Sequence, residues 1–288
     1  MSMRKKTKPH EQGKFAQLTL DFAFKKIFAS EEDKDLLIAL LNIFLKKKLA
    51  HPITNVVIKN PYIAGQTKGN RDANLDIRCR DSKGNSFIVE MQVGRQTYFI
   101  KRSLYYSSMA IVESNKKGRD WDFNYPNVYS LNFLDFKLNF GKNNDDIVQY
   151  ISFSNEEHPE IRYDYENFVF VRLPEFKKEL SECKTLRDKL LFFLCNSHKL
   201  KEQPESLRGK FFDKLFDVAK IANFTRDEYS EYEANRMTKL DYQASIICAR
   251  REGESRGVTK GREEIFSLLE SGMSLAAVKK KLGYKNAK

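Results

Sequence analysis

Hydrophobic and polar positions alternate strictly over two short runs of the chain. Leu75, Ile77 and Cys79 alternate with Asp76, Arg78 and Arg80, and Phe87, Val89, Met91 and Val93 alternate with Ile88, Glu90 and Gln92. A period of two is the signature of a strand with one apolar face. The segment between them, Asp81-Ser-Lys-Gly-Asn-Ser86, holds residues that tight turns favour, so the two runs predict a hairpin. Ahead of it, Leu36, Leu37, Leu40, Leu41 and Phe44 fall at helical spacing between Lys34 and Lys48, with acids at the start and lysines at the end. Thr54 to Lys59 predicts a strand stopped by Asn60-Pro61. Beyond the hairpin, Arg95 to Lys117 predicts a helix ended at Gly118, with Phe99, Arg102, Tyr106 and Met109 on adjoining turns. Asn127 to Leu134 alternates Val128, Ser130 and Asn132 against Tyr129, Leu131 and Phe133 and predicts another strand. Helix, three strands, helix, strand is the order of a mixed α/β sheet.

The remaining pattern divides in two. Ile147 to Phe153 and Phe168 to Leu173 predict strands that extend the sheet. From Pro174 onward the spacing is helical, over Phe176 to Leu200, Ser206 to Ala222, Arg226 to Arg251, Glu263 to Glu270 and Ser274 to Leu282. Phe192, Phe193, Phe211, Phe212 and Phe216 are expected in the core. Gly253, Gly257 and Gly261 recur in a charged helical run that lacks the Gly-Lys-Ser/Thr ending of a phosphate loop, and a stripe for close helix contact is the expected role. The last pair, joined by Ser271-Gly272-Met273, resembles the front of a helix-turn-helix with no recognition helix after it. It is expected to serve as an oligomerisation or regulatory pair. These shifts suggest a basic tail over 1–14, an α/β domain over 15–174 and a helical region over 175–288.

Composition adds a partner class and removes others. Lys and Arg number 51 against 39 Asp and Glu, a net charge of +12, which suits a polyanion. The four histidines are dispersed and the four cysteines show no C-x-x-C pair, so a zinc site is not expected and the thiols are expected to be reduced. No apolar run is long enough to span a bilayer and no signal-peptide core is present, which points to the cytoplasm.

The candidate chemistry lies on the hairpin. If the connection holds an odd number of residues, Asp76 falls opposite Glu90 or Gln92, with Cβ atoms about 5 Å apart. A two-residue loop would put Asp76 opposite Met91 or Val93 instead. The odd loop is the expectation, because it brings together hard oxygen donors able to hold a divalent cation.

Four pieces in sequence order resemble the PD-(D/E)XK nuclease superfamily, and within it most closely the recombination-promoting nuclease and transposase branch. They are Asp21, Phe24, Lys25 and Phe28 in an Asp-x-x-Phe-Lys-x-x-Phe segment; Leu75-Asp76; Glu90-Met91-Gln92 in place of Glu-x-Lys; and Arg102 with Tyr105-Tyr106. The likeness is close over residues 15 to 135. It implies a restriction-endonuclease-like core, αβββαβ, followed by helices. It also implies a Mg²⁺-dependent endodeoxyribonuclease (Mn²⁺ as substitute) acting on DNA in recombination or transposition. Asp76 and Glu90 would hold the metal with the backbone carbonyl of Met91. Gln92 stands where the superfamily has lysine, and Arg102, with Lys25 as a further candidate, would supply the missing positive charge. Asp21 is either an acid near the metal or a helix N-cap, a role Thr19 could equally fill. Asp72 is expected at a turn or edge. The alternative is a DNA-binding or interaction protein whose degenerate site no longer cuts.

Overall fold

The structure, a computed structural model, describes residues 13–65, 71–94, 96, 98–114, 125–140 and 146–284. Most of the expected basic tail, Arg95, Lys117 and Gly118 lie outside the described residues. Helices α1 (Asp21–Phe28) and α2 (Lys34–Leu45) precede strand β1 (Val56–Ile58) and the short strands β2 (Tyr62–Ile63) and β3 (Ala73–Asn74). Strands β4 (Ile77–Asp81) and β5 (Ser86–Gln92) form the expected hairpin, followed by α3 (Phe99–Glu113) and β6 (Val128–Leu134). Strands β7 (Val148–Ser154) and β8 (Arg162–Arg172) come next, then α4 (Leu186–Asn196), α5 (Lys210–Ala219), α6 (Arg226–Glu270) and α7 (Leu275–Lys281).

Six strands form one mixed sheet in the order β1-β4-β5-β6-β8-β7, and β2 pairs separately with β3. Pairing is antiparallel from β1 to β5, parallel from β5 through β6 to β8, and antiparallel between β7 and β8. Central strands bury both faces. Phe87, Val89, Tyr129, Leu131, Phe133, Val169 and Val171 share the main core with apolar residues of α1, α2, α4 and α5. The opposite face meets α3: Ile88 and Val128 cluster with Ala110, and Leu134, Phe168 and Phe170 cluster with Phe99. The alternation seen in the sequence therefore sorts residues between two buried faces.

Some expectations are corrected. The helix expected over Phe176 to Leu200 begins only at Leu186, behind 3₁₀ turns at Leu173–Glu175 and Leu180–Glu182. Thr185 sets the start: its hydroxyl accepts from the Asp188 N–H at 3.0 Å and the Asp188 carboxylate accepts in return from the Thr185 N–H, a capping box. Strand β8 starts at Arg162 rather than Phe168, because a register shift at Ser152/Phe153 lets β7 keep pairing as far as Ser154 with Arg162. The helices expected over Arg226 to Arg251 and Glu263 to Glu270 are one helix, α6. Three internal glycines, each about 1 kcal/mol worse than alanine in a helix, do not break it, and pairs Arg250–Glu254 and Glu252–Arg256 support that stretch at i,i+4 spacing. Gly13 and Lys14, expected in the tail, bond through their N–H groups to the carbonyls of His198 and Leu200. A Cβ at position 13 would lie 2.5 Å from the Leu200 oxygen, so only glycine fits that approach.

The chain divides into two compact units, one up to Arg236 and one from Met237 onward. The first contains the sheet and helices α1 to α5. The start of α6 belongs to it: the Tyr232 hydroxyl accepts from the Gln17 N–H, and Asn235 accepts from the Phe22 N–H. The second holds the rest of α6 and α7, between which Gly272 adopts φ +87°. There the N–H groups of Gly272 and Met273 bond to the carbonyls of Leu269 and Leu268, a Schellman stop. Among the described residues no helix is long and apolar enough to cross a membrane. All four cysteines are free, and burial pushes the thiols of Cys79 and Cys195 up to about 12.

Candidate active site

The turn sets the geometry. The Asp81 carboxylate accepts from the Lys83 N–H, the Asn85 N–H and the Asn85 side-chain amide, each at 2.9 Å. Gly84 takes φ +86°, a conformation that favours glycine. The hairpin pairs Arg80 with Ser86 and Ile77 with Val89, which gives the odd connection. One step further along that register Asp76 lies opposite Glu90.

There the two carboxylates replace ordinary ladder bonds. Glu90 Oε1 accepts from the Asp76 N–H at 3.2 Å, and Asp76 Oδ2 accepts from the Met91 N–H at 2.7 Å. Glu90 is only 4 % exposed. Burial, then the charge of Asp76, pushes the Glu90 carboxyl up to about 8. Burial likewise raises Asp76 to about 6, against the downward pull of Lys25. A pair of buried acids that resist ionisation is a site short of positive charge.

Two side chains partly supply it. Phe24 and Phe28 anchor α1 in the core, with Phe24 also 5.8 Å from the Phe133 ring. That anchoring turns the other edge of the helix to the site: Lys25 Nζ lies 3.3 Å from Asp76 and 2.8 Å from Asp21. Burial acts to lower the Lys25 pKa, but the two carboxylates outweigh it and leave it raised. From the opposite face, Arg102 of α3 donates to the side-chain oxygens of Gln92 and Gln96 and stands 4.0 Å from Glu90. Its guanidinium also lies against the rings of Phe99 and Tyr106. Gln92 thus contributes an acceptor that holds an arginine.

The five sequence-chosen side chains, Asp21, Asp76, Glu90, Gln92 and Arg102, converge on the β4–β5 end, Asp21 through Lys25. Asp21 is the first residue of α1 and not its cap; Leu20 occupies that position without a side-chain bond. Asp72 accepts from the Gly65 N–H at 2.8 Å, a bond across the connection between β2 and β3. Sequence reasoning missed Gln96, which precedes α3 and has no periodic signal, and the Arg78–Glu113 pair that ties the far end of α3 to β4. Among the described residues no group of three His, Cys, Asp or Glu side chains is arranged to hold a metal. Two carboxylates are nonetheless the usual protein share for Mg²⁺, which takes its other oxygens from water and substrate phosphate.

A mixed sheet with an acid leading one strand and Glu-x-Gln ending the next has the PD-(D/E)XK fold. The model of the PD-(D/E)XK nuclease family transposase family matches residues 18–249, and the chain belongs to that family. The match runs well past the motifs at 15 to 135 and into α6. Membership points to the hydrolases that act on nucleic acids. No curated protein and no solved structure matches the chain significantly.

Proposed function

We propose that the protein is a metal-dependent DNA endonuclease that hydrolyses phosphodiester bonds in recombination or transposition. Asp76 and Glu90, joined by the carbonyl of Met91, would hold Mg²⁺ or Mn²⁺. The observation that carries this reading is the buried carboxylate pair, flanked by Lys25 on one side and Arg102 on the other. When bound, the ion supplies polarisation of a phosphodiester oxygen and a lowered pKa for the attacking water. Arg102, held by Gln92 and Gln96, offers N–H groups to negative charge developing on the phosphoryl oxygens. Lys25 balances the charge of Asp76, and Asp21 keeps its ammonium in place. The net charge of +12 favours DNA, with binding that weakens as salt rises. We assign the protein to the cytoplasm and self-association to its C-terminal helices.

The test is nicking of supercoiled plasmid with Mg²⁺ or Mn²⁺. Wild type should cut, while Asp76→Asn, Glu90→Gln and EDTA should each abolish cutting. These isosteric variants keep the oxygen acceptors that the backbone uses. DNA binding without cutting under every metal condition would overturn the proposal in favour of a binding protein with a degenerate site.

A further inference from the structure

A polar seam runs under α3 where an apolar interface is the norm. Ser103 and Ser107 on the helix, Ser130 and Asn132 on β6, and Glu166 on β8 are all buried. The Ser103 hydroxyl is within donating reach of two acceptors, Asn132 Oδ1 at 3.3 Å and the Phe99 carbonyl at 3.1 Å, and shares its one proton between them. The Asn132 amide donates to Ser130 Oγ at 3.0 Å, with the Ser130 and Val169 carbonyls at 3.2 and 3.4 Å. One turn along α3, Ser107 Oγ donates to Glu166 at 2.7 Å. Burying an amide costs free energy unless it is bonded, and an apolar pair of similar volume would avoid that cost. Apolar contacts, however, tolerate small slips of a helix over a sheet, whereas hydrogen bonds of fixed length and angle do not.

Asn132 is the parallel-register neighbour of Glu90. Ser103 is the chain neighbour of Arg102. The bond between Ser103 and Asn132 therefore closes a circuit with the 4.0 Å approach of Arg102 to Glu90. We propose that Asn132 is a positioning residue, which through Ser103 fixes where Arg102 lies against Glu90 and Gln92. Its kinetic consequence rests on the nuclease reading, but its structural consequence does not.

The experiment is urea unfolding in EDTA, with Arg102→Ala introduced into wild type, Ser103→Ala, Asn132→Leu and Ser107→Ala. Arg102→Ala should lower the midpoint in wild type. In Ser103→Ala and Asn132→Leu that shift should fall to about half or less, since coupled residues are non-additive. The Ser107→Ala background removes a bond of the same type away from Arg102, and there the shift should stay whole. Equal shifts in all backgrounds, or equal loss in Ser107→Ala, would overturn the proposal. Should Asn132→Leu not fold, Ser103→Ala suffices. In plasmid nicking, Ser103→Ala should lower kcat about tenfold with KM unchanged, and should add nothing to Arg102→Ala. An additive loss there counts against the proposal, and the unfolding cycle reads the coupling even in a chain that does not cut.

Discussion

Glu90 shows most directly how one residue serves fold and chemistry with opposite demands. Its carboxylate oxygen takes the Asp76 N–H, yet burial opposes the charge that the proposed metal binding would need. The carboxyl is raised from 4.5 to about 8, so between those values the folded chain keeps a proton that the unfolded chain has released. Stability of the metal-free protein therefore falls as pH rises through that window, and the loss is complete above it. Glu90→Gln removes the effect. Its urea midpoint in EDTA should move above that of wild type progressively between pH 4.5 and 8, by up to about 1.4 kcal/mol for each unit of raised pKa. A constant offset across that range would contradict this account. Lys25 and Arg102 face the same acids from α1 and α3. The family resemblance named both as sources of positive charge, whereas hydrophobic periodicity alone could not, because each contact joins elements through tertiary packing. The acids themselves were legible as the polar positions of two alternating runs.

At the scale of elements, the hairpin is the part that sequence described best and left least determined. Period-two alternation located β4 and β5, but the register hung on how many residues the turn absorbs. Asp81 settles it through three bonds to the residues it precedes. Asp81→Ala should cost about 1–3 kcal/mol in unfolding free energy. It should also weaken Mn²⁺ binding measured by calorimetry, as pairing of Asp76 with Glu90 loosens. Lost stability with full Mn²⁺ affinity would show that the register is held elsewhere. Helices were legible to different degrees for a physical reason. The leucines of α2 and Gly272, just past the end of α6, carry local signals, whereas Phe176 and Leu180 keep apolar spacing in segments that never become α-helical. There the Thr185–Asp188 box, a local signal outweighed by the longer apolar pattern, marks the true start.

For the whole molecule, the compact unit ending at Arg236 takes in α4, α5 and the first turns of α6. The main core explains why: Leu190, Phe193, Leu215 and Phe216 pack with sheet residues, so α4 and α5 complete the α/β layer. A chain ended after Arg236 should keep the wild-type unfolding midpoint of the sheet-bearing unit. One ended after Thr225 loses Tyr232 and Asn235, which hold Gln17 and Phe22, and should melt several degrees lower. Equal midpoints for the two truncations would mean that α6 contributes nothing to the sheet-bearing unit. The interleaving of Asp76 and Glu90 with the backbone has a consequence for how such a chain can change. Each acid accepts a backbone N–H of the hairpin as well as lining the candidate site, so a replacement that lacks the acceptor oxygen is felt in folding as well as in the site. Among the described residues the side chain of Gln92 bonds only to the Val93 carbonyl and Arg102. Of the three motif positions it is the one that inheritance can rewrite cheaply, and it is the one where this chain departs from Glu-x-Lys.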